Sequence, residues 1–180
     1  MEVEKMALFD IAYGYIMEEE GGLVDHPDDP GGITKFGISL RFLRSIGLDL
    51  NRDGIIDGID IRNLSPLRAK AIYKKEFWNK MKCDKLPDGI DLAVFDCSVN
   101  QGKSAAAKLL QKAARVKVDG IIGPITITAI EFHLKEVLDD FMARRALRYA
   151  MTPKVFIFGL GWYRRLIRIY RLSLEDLEAQ

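Results

Sequence analysis

One apolar segment near the middle of the chain limits what this protein can fold into. Between Asp91 and Gln101 nearly every position is apolar, and the run includes Leu92, Ala93, Val94, Phe95, Cys97 and Val99. The segment is too short to span a membrane, so it predicts a helix that passes through the core. Its polar members Asp96 and Asn100 are four positions apart and therefore share one face of that helix.

The remaining pattern predicts more helices and almost no sheet. Apolar spacing or helix-favouring composition covers residues 5–20, 38–46, 65–78, 103–115, 124–133, 135–151 and 160–177. Ser65-Pro66 supplies an N-cap and a first helical residue. The glycine-rich segment 21–38 predicts an irregular lobe that can hold some β structure. The predicted fold class is mainly α, a helical bundle around a buried central helix with a small irregular or β lobe.

Composition narrows the class of protein. The chain has 180 residues and a formal net charge of +1, which is enough for one domain with a sizeable core and gives no argument for nucleic acid as a partner. Cys83 and Cys97 are too few for a disulfide framework. The first residues lack the pattern of a signal peptide. We therefore expect synthesis in the cytoplasm and delivery by another factor to any substrate outside it.

Glu20 has the clearest catalytic chemistry in the chain. It ends the first predicted helix, and Gly21-Gly22 follow it as a C-terminal signal. The negative end of the helix dipole and the neighbouring Glu18 and Glu19 all raise the pKa of Glu20, as a general acid requires. The alternative is a solvated acidic helix end followed by a turn.

Residues 49–60 match the pattern of a calcium-binding EF-hand loop. Oxygen-bearing side chains occupy loop positions 1, 3, 5, 9 and 12, and a glycine occupies position 6. The predicted ligands are Asp49, Asn51, Asp53, Asp57, Asp60 and the backbone carbonyl of Ile55. We expect a structural calcium ion that fixes the helix starting at Ser65 against residues 38–46. The alternative is an acidic surface turn without an ion.

Several motifs together resemble one known family. They are Glu20-Gly21-Gly22, Asp29 to Ile38, Tyr73, Phe77-Trp78, Phe95 to Gly102, Leu110-Gln111, Asp119 to Pro124, Thr126 and Gly161-Trp162. Together they are similar to the EGG-motif N-acetylmuramidases of glycoside hydrolase family 108. The resemblance covers nearly the whole chain and implies an α+β lysozyme-like fold in a single domain, 1–180. Residues 1–90 would be the catalytic part, and 91–180 a helical peptidoglycan-domain part.

The resemblance also implies an activity. The enzyme would hydrolyse the β-1,4 bond between N-acetylmuramic acid and N-acetylglucosamine, with Glu20 as the general acid. Asp29 is the first candidate for a second catalytic carboxylate, and its alternative role is to hold the Pro30-Gly31 bend. Peptidoglycan strands would be the partner, without nucleic acid, stable membrane insertion or any cofactor in the chemistry. A monomer that acts as a phage or prophage endolysin is the expected setting.

Four further residues are candidates for the sugar-binding groove. Thr34 could orient the attacking water, because its hydroxyl both donates and accepts hydrogen bonds. Tyr73, Asp96 and Asn100 are polar positions on otherwise apolar helices and could bond to N-acetyl groups. For each of the four, the alternative is a polar group satisfied by the local backbone or within the core.

Two other functions remain open at this point. A peptidase or amidase acting on the same polymer would need metal ligands or a nucleophile, yet the chain has only His26 and His133, and Cys97 lies in the apolar segment. A non-catalytic peptidoglycan-binding, secretion or regulatory module is motivated by the turn at Asp119–Thr126, which is similar to that of small peptidoglycan-binding modules. Glu20 discriminates between the classes, because a binding module needs no acid there.

The last predicted helix carries Arg164, Arg168 and Arg171 at i, i+4 and i+7. This spacing is typical of a core helix with a solvated basic face. Such a face could also attract anionic cell wall or lipid headgroups.

Overall fold

The computed structural model describes residues 2–19 and 32–179, which form two compact units, Met1–Lys74 and Lys75–Gln180. The elements of the first unit are α1 (Glu2–Glu19), β1 (Thr34–Lys35), β2 (Ile38–Ser39), α2 (Leu40–Ile46), α3 (Gly58–Arg62) and α4 (Pro66–Tyr73). Those of the second are α5 (Ile90–Asn100), α6 (Lys103–Ala113), α7 (Pro124–Glu131), α8 (Leu134–Ala150) and α9 (Val155–Glu178). A π-helical turn (Lys74–Trp78) joins the units along the chain, and a 3-10 turn (Cys83–Lys85) precedes α5. The mainly α class is confirmed.

A tight hairpin forms the described part of the predicted irregular lobe. Strands β1 and β2 are antiparallel, with Thr34 opposite Ser39 and Lys35 opposite Ile38. Phe36 and Gly37 connect them with φ of +51° and +70°, and positive φ at both central positions is the type I′ geometry that matches strand twist. The Leu40 amide then donates to the Ile33 carbonyl at 3.0 Å. Residues 20–31 of the lobe lie outside the described part of the chain.

Helices α1 and α4 contact each other through side chains in the first unit. Phe9 and Ile16 of α1 are buried, and the rings of Tyr13 and Tyr73 lie 5.5 Å apart. The predicted start of α4 is confirmed, since the Ser65 hydroxyl accepts from the Arg68 amide at 3.2 Å and a proline follows it. The helix was expected to run to about Trp78, but its regular α-helical part ends at Tyr73 and the π-helical turn continues from there.

The central helix predicted from the apolar segment is α5, and the residues from Ile90 to Ser98 are all buried. Helices α6, α8 and α9 contact it. Trp78 also packs edge-on against Phe95 at 5.3 Å, so the segment before α5 belongs to the same core. The compact unit accordingly begins at Lys75. The division of a single domain into a catalytic part, 1–90, and a peptidoglycan-domain part, 91–180, stays a prediction.

Gly89 sets how closely α9 approaches the start of α5. Its φ is +81°, and a Cβ placed there would lie 2.2 Å from the Ser173 carbonyl oxygen. Only glycine permits this contact without movement of the helix.

The last helix is longer than predicted. It begins at Val155, whereas the sequence pattern placed its start at residue 160. Gly159 and Gly161 lower the helix propensity of this segment. Packing overrides that preference, since Trp162 stacks on Tyr149 of α8 at 5.1 Å. No helix in the described ranges 2–19 and 32–179 is long and apolar enough to cross a membrane.

Candidate functional site

The two predicted catalytic carboxylates, Glu20 and Asp29, lie outside the described residues. The chain is described on both sides of them, up to Glu19 in α1 and from Gly32 onward at the hairpin. The geometry that bears on the site is therefore that of the hairpin and of the residues that hold it.

Thr34 is half-buried on β1, and its hydroxyl donates to the Gly32 carbonyl at 3.2 Å. This is the local backbone bond that the sequence left open as the alternative. The oxygen retains lone pairs that can still accept a hydrogen bond. The role of Thr34 in orienting a water stays a prediction.

Tyr73 is buried in the first unit, and its predicted role in binding a sugar stays a prediction. Its side chain is 1% exposed, and its hydroxyl donates to the Phe36 carbonyl at 3.2 Å. This hydrogen bond holds Phe36, one of the two residues with positive φ in the hairpin turn. Lys35 adds a second tether, because its ammonium group donates to the Arg62 carbonyl at 2.6 Å. Tyr73 thus positions the hairpin from within the core of the first unit.

Asp96 lies in the core of the second unit, which agrees with the alternative that the sequence left open, and its role in a sugar groove stays a prediction. The side chain is 0% exposed. Arg145 of α8 donates to one carboxylate oxygen at 2.5 Å, and Arg165 of α9 donates to the other at 2.8 Å. A buried carboxylate needs such partners, and here they connect α5 to α8 and α9.

Asn100 is the predicted groove residue of the second unit that stays near the surface. Its side-chain oxygen accepts a hydrogen bond from the Tyr149 hydroxyl. The residue lines a shallow pocket of about 280 Å³ with Gln101, Arg148, Tyr149, Thr152 and Trp162. An amide and an aromatic ring in one open pocket are compatible with sugar binding, and the assignment of Asn100 stays a prediction.

The loop at 49–60 is ordered by its own carboxylates. Asp49 accepts the amides of Arg52 at 2.6 Å and Gly54 at 2.8 Å, and Asp53 accepts the amide of Ile55 at 2.8 Å. Gly54 has a φ of +89°, as the sharp turn requires.

Asp57 and Asp60 close the other end of this loop. Asp57 caps α3 through the Ile59 amide at 2.7 Å. Asp60 is buried and accepts the amides of Leu50 and Asp57 at 2.8 and 2.9 Å. These backbone bonds hold the pKa of Asp60 below its ordinary value even though burial would raise it.

The donor set of the loop fits calcium in kind, because its side chains are oxygen ligands around a glycine turn. In residues 32–179, however, no three acidic, histidine or cysteine side chains gather closely enough to hold a metal ion. The carboxylates point to backbone amides in this arrangement. Binding of calcium by Asp49, Asn51, Asp53, Ile55, Asp57 and Asp60 stays a prediction.

The expected link between the two flanking helices is made by arginines. Arg44 of α2 donates to the Ile56 carbonyl at 3.0 Å, and Arg68 of α4 donates to the Leu50 carbonyl at 3.3 Å. The loop bridges the two helices through these hydrogen bonds.

The turn that motivates the binding-module alternative uses its polar groups internally. Gln111 donates to the Asp119 carboxylate at 2.7 Å and to the Ile121 carbonyl at 3.0 Å. Its own side-chain oxygen accepts the Gly120 amide at 2.8 Å. Thr126 is buried beside them. The pattern in the sequence is explained by the structure of the turn.

Cys97 is not suited to be the nucleophile that the peptidase alternative needs. The residue is fully buried in α5, and burial raises the pKa of its thiol to about 11. A reactive cysteine needs a lowered pKa and some access to solvent.

Glu76 is a buried carboxylate that the sequence analysis passed over. It lies in the π-helical turn and pairs with Lys80, and Lys103 donates to its backbone carbonyl at 3.1 Å. Burial, followed by the charge of Lys80, lowers the pKa of Lys103. The i, i+4 spacing of Glu76 and Lys80 was the available signal.

Comparison with known proteins adds two findings. The model of the family described as glycosyl hydrolase 108 matches residues 13–102. Among solved structures, SagA of Brucella abortus is similar at 30% sequence identity and a TM-score of 0.84, over 96% of this chain and 97% of that one. None of the curated proteins compared with this chain matches it.

Proposed function

Because this chain belongs to the glycosyl hydrolase 108 family, we propose that it is an N-acetylmuramidase. The reaction is hydrolysis of the β-1,4 bond between N-acetylmuramic acid and N-acetylglucosamine in peptidoglycan. The match over residues 13–102 carries the proposal, because that range includes Glu20, Asp29 and the hairpin. We also keep, as predictions, the endolysin-like role of a phage or prophage protein, action as a monomer, and delivery from the cytoplasm to the cell wall.

In the proposed mechanism Glu20 begins protonated and donates its proton to the glycosidic oxygen as the bond to the sugar carbon breaks. Positive charge develops on the sugar ring in an oxocarbenium-like transition state. Water then bonds to that carbon and loses a proton to Asp29, if this residue is the base. Such an inverting route needs the two carboxyl groups roughly 6.5–9.5 Å apart. Thr34 is proposed to orient the water.

The hairpin supports the proposal by its rigidity. It follows directly on the segment that contains Asp29, and three bonds fix it: Tyr73 to Phe36, Lys35 to Arg62, and Leu40 to Ile33. A catalytic group is effective when its supporting elements do not move. The chemistry needs no cofactor.

The decisive experiment measures release of reducing ends from purified peptidoglycan. Glu20→Gln removes the transferable proton and keeps the shape of the side chain, so we expect the rate to fall by about a hundredfold or more. Glu18→Gln is the matched control, since it removes a carboxylate of α1 two positions earlier in the sequence. It should leave the rate within about twofold. Mass spectrometry of the fragments should find N-acetylmuramic acid at the new reducing ends.

Equal rates for wild type and Glu20→Gln would disprove the assignment of the acid. If the wild type releases no reducing ends but sediments with peptidoglycan, the binding-module alternative replaces this proposal. An Asp29→Asn variant with unchanged rate would remove Asp29 from the mechanism while leaving Glu20 in place.

A further inference from the structure

Large apolar side chains are exposed where α8 turns into α9. Phe156 is 95% exposed, Ile157 75% and Leu160 67%, and Met151 on the other side of the turn is exposed as well. We call these four residues the apolar tip. Single exposed apolar residues are common, but several together at one end of a helix pair mark an interaction surface.

The side chains around the apolar tip carry one sign of charge. From residue 141 to residue 174 the chain has one lysine and seven arginines but no aspartate or glutamate. Arg145 and Arg165 are buried against Asp96. Among the exposed cations are Arg148 and Lys154 beside the turn, and Arg164 farther along α9.

The order of side chains along α9 fits the depth profile of a lipid interface. Phe156, Leu160, Arg164, Ile167 and Arg171 follow one another at steps of three or four, so they lie along one exposed face. With a rise of 1.5 Å per residue, Arg164 lies about 12 Å along the helix from Phe156. Apolar side chains at a lipid interface are buried about 5–10 Å into the boundary between headgroups and acyl chains. If the helix end enters first, Arg164 would lie behind that depth, near the phosphates.

The base of the apolar tip is held firmly. Trp162 stacks on Tyr149 with an angle of 24° between the rings, and the Tyr163 hydroxyl donates to the Ala146 carbonyl at 3.3 Å. These contacts join α9 to α8 directly behind the exposed residues. These contacts fix the position of the apolar tip relative to α8.

From this geometry we propose that the apolar tip binds the surface of an anionic lipid bilayer, inserting Phe156, Ile157 and Leu160 among the headgroups. The contact is peripheral. A second copy of this chain is a poorer occupant, because two tips placed together would bring Arg148, Lys154 and Arg164 against their own copies. The inference does not depend on the proposed glycosidase activity.

The test uses the intact protein and sedimentation with vesicles of phosphatidylglycerol and phosphatidylcholine, compared with vesicles of phosphatidylcholine alone. The wild type should sediment with the anionic vesicles, and raised salt should weaken this binding. Phe156→Ser/Ile157→Ser/Leu160→Ser should lose about tenfold or more in affinity. Lys154→Gln/Arg164→Gln/Arg171→Gln should lose the preference for anionic lipid.

Ile121→Ser/Ile125→Ser/Phe132→Ser is the matched control, because it removes three exposed apolar side chains from the segment before α8. This variant should bind as the wild type does. A readout without mutation comes from Trp162, two residues after Leu160, whose fluorescence should shift to shorter wavelength with anionic vesicles and be quenched by brominated lipid. The other tryptophan, Trp78, is buried in the core.

The proposal is wrong if the wild type does not bind anionic vesicles at low salt, or binds neutral vesicles equally well. It is also wrong if the tip variant and the matched control bind alike while both unfold cooperatively. A wild-type dimer that the tip substitutions convert to a monomer, without lipid binding, would assign the surface to a second copy of the chain.

Discussion

At the scale of single residues, Asp96 carries the largest energetic consequence. Its carboxylate is the buried partner of both Arg145 and Arg165. Asp96→Asn would leave these buried guanidinium groups without their counter-charge. We expect the free energy of unfolding to fall by about 3–5 kcal/mol, as measured by urea denaturation.

Asp140→Asn provides the comparison for this prediction. Asp140 also pairs with an arginine, Arg144, at 2.8 Å, but both side chains are partly exposed. Its loss should cost less than about 1 kcal/mol. Equal effects of the two substitutions would contradict the structural role given to Asp96.

The sequence identified Asp96 and Tyr73 as polar residues on apolar helices but left open whether they face a sugar groove or the core. Whether such a residue faces a groove or the core depends on its partners. Those partners are distant in the chain: Arg145 lies 49 positions after Asp96, and Arg165 lies 69 positions after it. Periodicity within one helix contains no information about donors on other helices, so this part of the site could not be predicted.

At the scale of elements, the loop at 49–60 offers the clearest experiment. If calcium binds, it stabilises the folded state, and at a hundredfold excess over Kd the gain is about 2.7 kcal/mol. For a chain of this size that gain raises Tm by about 5–10 °C. Scanning calorimetry in calcium and in EDTA should detect the rise, and Asp49→Ala/Asp53→Ala should abolish it.

Arg52→Ala serves as the control within the same loop, since its side chain is not a predicted ligand. That variant should keep the response to calcium. An unchanged Tm for the wild type in calcium would mean that the loop is held by Arg44, Arg68 and its own Asx bonds alone.

Element type was more predictable than element length. Local signals specify where a helix can start, as the Ser65 cap and the following proline confirm. The start of α9 could not be predicted, because contacts with α8 outweigh the low helix propensity of Gly159 and Gly161. The π-helical turn at Lys74–Trp78 likewise has no signal in local spacing.

At the scale of the whole molecule, stability should depend on pH through Asp91. This residue is buried at the start of α5. Burial, with the nearby charges of Asp88 and Asp176, raises the pKa of Asp91 to about 7. The Cys83 thiol faces the same group, and its pKa is raised by burial and by Asp91.

The direction of the effect follows from proton binding. The folded chain binds the Asp91 proton more tightly than the unfolded chain, where the pKa is about 3.9. The stabilisation is complete below about pH 4 and is lost as pH rises through 7, with an upper limit of about 4 kcal/mol. When urea denaturation is measured from pH 4 to pH 8, the free energy of unfolding should therefore fall less for Asp91→Asn than for the wild type.

The free energy of unfolding of Asp88→Asn should still fall with pH nearly as much as that of the wild type. Burial is the main cause of the raised pKa of Asp91, and the charge of Asp88 is a smaller one. Parallel pH profiles for the wild type and Asp91→Asn would show that another group determines the dependence.

The contact between Gly89 and Ser173 has a consequence for comparing relatives of this protein. Two positions far apart in the sequence are sterically coupled there, because any side chain at residue 89 would collide with the backbone of α9. A homologue that has lost this glycine must carry its last helix farther from the central one. Position 89 can therefore serve as a marker, readable in a sequence alignment, for whether a relative keeps this arrangement of its final helix.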